Sequence, residues 1–280
     1  MRYRKLWLLA FALLWCSTAF AQQQPAQPLT FWATYAVKPG KEADFLDLVK
    51  TVGQPVRDKM MADGVILAWG LENSLLRGQN GNSHAVWYAV ADWASIEKVQ
   101  NAFNAQLAKI AADEAKAGEK KGQKSTADRI RDVIDSEKTK DYVTRDVVFV
   151  VGTSMPAGVL PYTRYNFVKV KPGKGDAYRA TWEKYNKPVL DKLVADGTIL
   201  AFGLGVEDVK TTGDFTHFTW YAVKNAGDLD KVRSTFLADR ERRTVEEREA
   251  ITAAFLGEID PDASRSEVDH SLIFHVPGPK

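Results

Sequence analysis

The sequence predicts an α+β fold in which two tandem βαββαβ units pack sheet to sheet. Three observations carry this reading. The string Val37-Lys38-Pro39-Gly40-Lys41 recurs letter for letter as Val170-Lys171-Pro172-Gly173-Lys174. The same step of 133 residues then holds without a gap. It takes Pro55 to Pro188, Asp63-Gly64 to Asp196-Gly197, Ile66-Leu67-Ala68 to Ile199-Leu200-Ala201, His84 to His217 and Trp87-Tyr88-Ala89-Val90 to Trp220-Tyr221-Ala222-Val223. Finally, each copy alternates short β-branched and aromatic runs with helical periodicity in the order strand, helix, strand, strand, helix, strand.

Residues 1–21 read as an export signal. Arg2, Arg4 and Lys5 precede an apolar run, 6–15, that is too short to span a bilayer, and Ala19-Phe20-Ala21 offers small residues to a signal peptidase. Cleavage is expected after Ala21, giving a periplasmic or secreted protein; the alternative is an uncleaved anchor. Trp15 before Cys16 argues against lipid attachment. The whole chain has 38 basic and 36 acidic residues, a net charge of +2. Loss of the signal shifts the balance to −1, which leaves no electrostatic case for nucleic acid or for the membrane surface as a partner. The one Cys of the chain leaves with the signal. The mature protein then has no disulfide and no thiol nucleophile, and its stability rests on its core.

Residues 22–29 form a polar linker, and the first unit spans 30–152. Residues 31–38 suit a strand, which Pro39-Gly40 ends because Pro lacks a ladder donor and Gly permits the turn. Phe45, Leu48, Val49, Val52 and Val56 place one apolar face on a helix over 41–61, with Pro55 predicting a kink or break. Strands are expected at 65–72 and 83–91, joined by a Gly-bearing hairpin loop at 73–82. A helix follows from Trp93. The charged stretch 109–140 reads as a helix end, a loop and a short helix over 127–137, before a fourth strand at 146–151. A linker at 153–161 leads to the second unit, 162–280. Its tail departs from the first: one long charged helix over 229–256, a breaker at Asp260-Pro261-Asp262 and a last strand at 271–276.

A βαββαβ order is the ferredoxin-like arrangement, a four-stranded antiparallel sheet with both helices on one face. The bare face must be buried, and two copies can do this sheet to sheet. With its strand, V-K-P-G-K turn and amphipathic helix, the chain resembles the dimeric α+β-barrel superfamily, which includes antibiotic-biosynthesis-monooxygenase-like proteins. The resemblance covers nearly all of the mature chain and implies an intramolecular pseudo-dimer with a cavity inside the barrel or between sheet and helices.

Alternation along the third strands separates His217, Thr219 and Tyr221 from Phe218, Trp220 and Ala222. The more apolar second set is expected under the helices and the first set inside the barrel. By the repeat, His84 and Tyr88 join that interior, with Arg164 and Asn166 from the first strand of unit two. These six residues form the candidate ligand site, for a small aromatic or anionic molecule. Two readings of the histidines stay open: a base active near neutral pH, or strand-start residues that both copies keep for structure. Trp87 and Trp220 read as core. His84 and His217 lack a clear third ligand, so no metal is expected, and no cofactor is called, a haem needing an axial His that nothing singles out. The chain contains no Gly-rich phosphate loop, no G-x-S-x-G and no H-E-x-x-H. The expected function is binding of a small molecule in the barrel of an exported protein. The alternatives are a non-catalytic envelope or assembly module with a filled barrel core, and a cofactor-free monooxygenase-like enzyme.

Overall fold

The computed structural model describes residues 27–76, 82–118, 124–152, 158–211 and 213–276. The expected export signal, 1–21, and residues 77–81 of the expected hairpin loop lie outside the described residues. Unit one contains β1 (Leu29–Val37), α1 (Glu42–Leu48), a π-helical turn (Val49–Gly53), α2 (Gln54–Ala62), β2 (Ile66–Ser74), β3 (His84–Val90), α3 (Trp93–Ala117), α4 (Thr126–Val133) and β4 (Ile134–Val151). Unit two contains β5 (Tyr162–Val170), α5 (Gly175–Tyr185), α6 (Lys187–Ala195), β6 (Ile199–Glu207), β7 (His217–Val223), α7 (Ala226–Glu241), α8 (Val245–Glu258) and β8 (Ile259–His275).

The eight strands close into an antiparallel barrel in the order β1-β3-β2-β8-β5-β7-β6-β4. Exchanging the two units maps this ring onto itself. Each unit supplies one four-stranded sheet, and two seams close the barrel: β2 against β8, with Gly70 opposite Phe274, and β4 against β6, with Phe149 opposite Gly203. The helices pack outside.

The repeated Val-Lys-Pro-Gly-Lys is a structural joint. Gly40 and Gly173 hold φ at 77° and 76°, a region that costs side-chain-bearing residues energy. The Lys38 N–H donates to the Val133 carbonyl at 2.9 Å, and the Lys171 N–H to the Glu258 carbonyl at 2.8 Å. Each joint is thereby tied to the last helix of its own unit. Pro55 acts as expected: the π-helical turn interrupts the helix and Pro55 sits in the first turn of α2, where its missing N–H is harmless. In unit two the break falls at Asn186, before Pro188.

Three expectations about the ends of the units are corrected. The short helix stops at Val133, and the chain is extended from Ile134, so β4 has 18 residues. The last strand begins at Ile259 and has 17 residues, with Asp260-Pro261-Asp262 inside it. A shift in the ladder explains how it holds a Pro: pairing to β5 runs from Phe167–Arg265 to Lys169–Asp260, leaving the residues between Asp260 and Arg265 without a β5 partner. Pairing of β1 to β4 makes the matching jump, from Thr34–Lys140 to Ala36–Asp135. The charged helix of unit two is two helices, because Thr244 and Glu247 form a reciprocal capping box that starts α8 afresh.

Candidate functional site

Both faces of the sheet are buried, one by helices and one by the opposite side of the barrel. Alternation therefore sorts side chains into two sets without saying which set faces where. The structure assigns the sets opposite to expectation. Phe218 and Trp220 point into the barrel, where they pack with Trp32, Trp87, Tyr142, Tyr165, Phe167 and Phe215. Gly70 and Gly203 make the room. A Cβ at Gly203 would lie 2.5 Å from Trp220 Nε1, and one at Gly70 2.8 Å from the Trp87 ring. The rings leave an internal void of about 20 Å³, space for one water. The barrel interior is a filled core, so the expected ligand cavity inside it is withdrawn.

His84 and His217 face the helices and occupy equivalent posts. His84 Nδ1 lies 3.0 Å from Ser83 Oγ and its ring packs on Phe45; His217 Nδ1 lies 3.0 Å from Thr216 Oγ1 and its ring meets Tyr178 edge-on. Burial pushes the His84 imidazole down to about 4 and lowers that of His217 too. Tyr88 is also under the helices. It stacks on Phe31 at 5.0 Å, and its hydroxyl accepts from Gln100 Nε2 at 3.3 Å.

Arg164, Asn166 and Tyr221 do come together, but between sheet and helices. With Thr219 they form the floor of a cleft of about 450 Å³ in unit two, a size suited to a small organic molecule. Trp182, Tyr185, Asn186 and Leu190 form one wall, at the α5–α6 break. Val232, Arg233, Phe236, Asp239, Arg240 and Arg243 come from α7 and the turn after it, and Arg248, Ile251 and Thr252 from α8. Asn166 Nδ2 donates to Thr219 Oγ1 at 3.4 Å and its Oδ1 accepts from Arg164 Nε at 3.4 Å. Burial raises the Tyr221 hydroxyl, and the neighbouring Arg164 partly offsets this.

The cleft is strongly basic. Five arginines line it against one carboxylate, Asp239. Arg243 is bonded to Asp239 through Nε and Nη2, at 3.1 and 2.5 Å, and its guanidinium lies over the Tyr185 ring. Arg164, Arg233, Arg240 and Arg248 have no ion pair among the described residues. The helix arginines were missed in the sequence because 229–256 read only as one long charged helix. Their signal was the recurrence of Arg233, Arg240 and Arg243 at helical spacing. No His, Cys or Met lines the cleft, so it does not fit a haem held by any of those residues.

Comparison with solved structures bears on the fold. A candidate monooxygenase from Fusobacterium nucleatum subsp. nucleatum ATCC 25586 matches with a TM-score of 0.56 at 12% identity, over 90% of this chain and 96% of its own. The fold is a dimeric α+β barrel closed within one chain. A candidate monooxygenase from Lactobacillus acidophilus NCFM matches with a TM-score of 0.54 at 10% identity, over 90% and 97%. An anthrone oxidase-like protein matches with a TM-score of 0.52 at 9% identity, over 91% and 95%. At these identities the likeness is one of fold. No protein-family profile and no curated protein sequence matches the chain.

Proposed function

We propose that this is an exported protein that binds a small organic anion in the cleft of its second unit. The observation that carries the reading is an aromatic-walled cavity of about 450 Å³ lined by five arginines and one carboxylate. Guanidinium groups match carboxylate and phosphate geometry through paired N–H donors. Trp182, Tyr185, Leu190 and Phe236 supply surface for an apolar body. Export rests on the basic, apolar and Ala-x-Ala segments of residues 1–21. The two units are read as a tandem duplication from their ungapped 133-residue step.

A thermal-shift screen of aromatic and aliphatic carboxylates, phosphates and their neutral analogues tests the binding reading. A ligand at about 100 times its Kd adds ~2.7 kcal/mol of stability, a rise of about 5 °C or more for a chain of this size. Arg164→Phe, which copies the residue of unit one, should abolish the rise. If no compound of any charge class raises the melting temperature, or if the variant responds like the parent, the cleft is not a binding site. N-terminal sequencing of exported protein should begin at Gln22; a start at Met1 refutes cleavage.

A further inference from the structure

The arginines of the cleft stand on opposite walls. Arg164 rises from β5 on the sheet side, whereas Arg233 and Arg240 descend from α7 and Arg248 from α8. Between them lies an apolar belt of Trp182, Leu190, Val232, Phe236 and Ile251. The one carboxylate, Asp239, is engaged by Arg243 on the helix side, and no acidic residue lines the floor. Arg164 and Arg248 are half-buried whereas Arg233 and Arg240 are exposed, so each wall presents guanidinium donors toward the cleft without a carboxylate partner of its own.

Unit one does not carry these arginines. The 133-residue step places Phe31, Gln100 and Leu107 where unit two has Arg164, Arg233 and Arg240. The arginine that unit one does hold in this layer, Arg57, is matched in unit two by Leu190. The basic set belongs to the cleft and not to the packing of helix on sheet.

We propose that the ligand class is a small dianion with an apolar body, such as a dicarboxylate, bound across the cleft with one anionic end at Arg164 and the other at the Arg233, Arg240 and Arg248 cluster. This rests on the cleft being the binding site. A monoanion pairs with one wall only. A dianion whose span bridges the floor and the helices answers both.

Isothermal titration with terephthalate, isophthalate and adipate, each compared with its monoacid (benzoate or hexanoate), reads the difference. At least one dicarboxylate should bind tenfold or more tightly than its monoacid. Arg164→Gln and Arg240→Gln should each reduce that preference to about threefold or less while the circular dichroism spectrum stays unchanged. Arg164→Lys should restore part of it. If no dicarboxylate exceeds its monoacid, or if both Gln variants keep the full preference, the two-pole assignment is overturned. Tight binding of 1,4-benzenedimethanol, a neutral probe of similar span, would overturn it too but leave the cleft a binding site. A cleft that binds nothing in the wider screen fails at the earlier step.

Discussion

The same layer, between sheet and helices, is closed in unit one and open in unit two. In unit one Phe31 stacks on Tyr88, and the Arg57 side chain lies beneath α3 with its guanidinium 4.7 Å from the Phe103 ring and 5.4 Å from that of Trp69. Arg57 is 7% exposed, and its Nε and Nη1 have no hydrogen-bond partner among the described residues. In unit two Leu190 replaces Arg57, and Arg164 replaces Phe31. The shorter Leu leaves the space above the floor vacant, and Phe236, the counterpart of Phe103, lines the cleft instead of carrying a guanidinium. The same βαββαβ layout thus holds either a plugged core or a cavity through a few exchanges on one face, above one shared barrel.

The histidines are where the units should be most alike. His84 titrates near 4 in the folded protein, against an ordinary value near 6.5. Between those values the unfolded chain holds more protons, so stability falls as pH is lowered from 6.5 to 4, by at most ~3 kcal/mol. Urea unfolding at pH 7, 5.5 and 4 should show this loss in the parent and a smaller one in His84→Gln. His217→Gln should show the same sign. Parallel curves for parent and variant would remove the histidine from the acid limb.

The barrel is the next place where symmetry can be broken. Gly70→Ala and Gly203→Ala should each cost ~2 kcal/mol, because the new methyl group meets a tryptophan ring and a backbone carbonyl at 2.9 Å, from Ile273 and Val148 respectively. A loss confined to one variant would show that one half of the barrel is more loosely filled.

The smallest effect is expected at the plug. Arg57→Leu, which copies unit two, exchanges a buried and partly unsatisfied cation for an apolar side chain. Stability should change by less than ~1 kcal/mol, since such replacements are often neutral or stabilising. A loss above ~2 kcal/mol in urea would show that the guanidinium is fully compensated and that the contrast between the units is less sharp than drawn.

The repeat made the architecture readable because Gly, Pro, Trp and His recur at backbone and packing positions that both units must build. The orientation of β7 was not readable from alternation, since a sheet buried on both faces gives two apolar sets. Gly203 opposite Trp220 in the β6–β7 ladder held the answer: a missing side chain beside a large ring marks the face on which the ring lies. The candidate site was half visible. Arg164, Asn166 and Tyr221 were named and do meet, whereas His84, Tyr88 and His217 do not line the cleft. Residues that differ between copies, such as Arg164 against Phe31, were the better guide to the cleft, and the helix arginines stand out only once the copies are subtracted. The long β4 and β8 escaped notice because Lys, Asp and Ser dominate their first halves, where each lies beside a single neighbouring unit-first strand.

The two seams have a mechanical consequence. β4 leaves unit one to pair with β6, and β8 leaves unit two to pair with β2, so each half lends its last strand to the border of the other. The connection from Val151 to Tyr162 then acts as a tether that raises the local concentration of one half around the other. A nick in it should leave a noncovalent heterodimer that migrates as one particle, and co-expressed halves should reassemble. With both borders consumed by the ring, neither sheet offers a free edge to recruit a foreign strand.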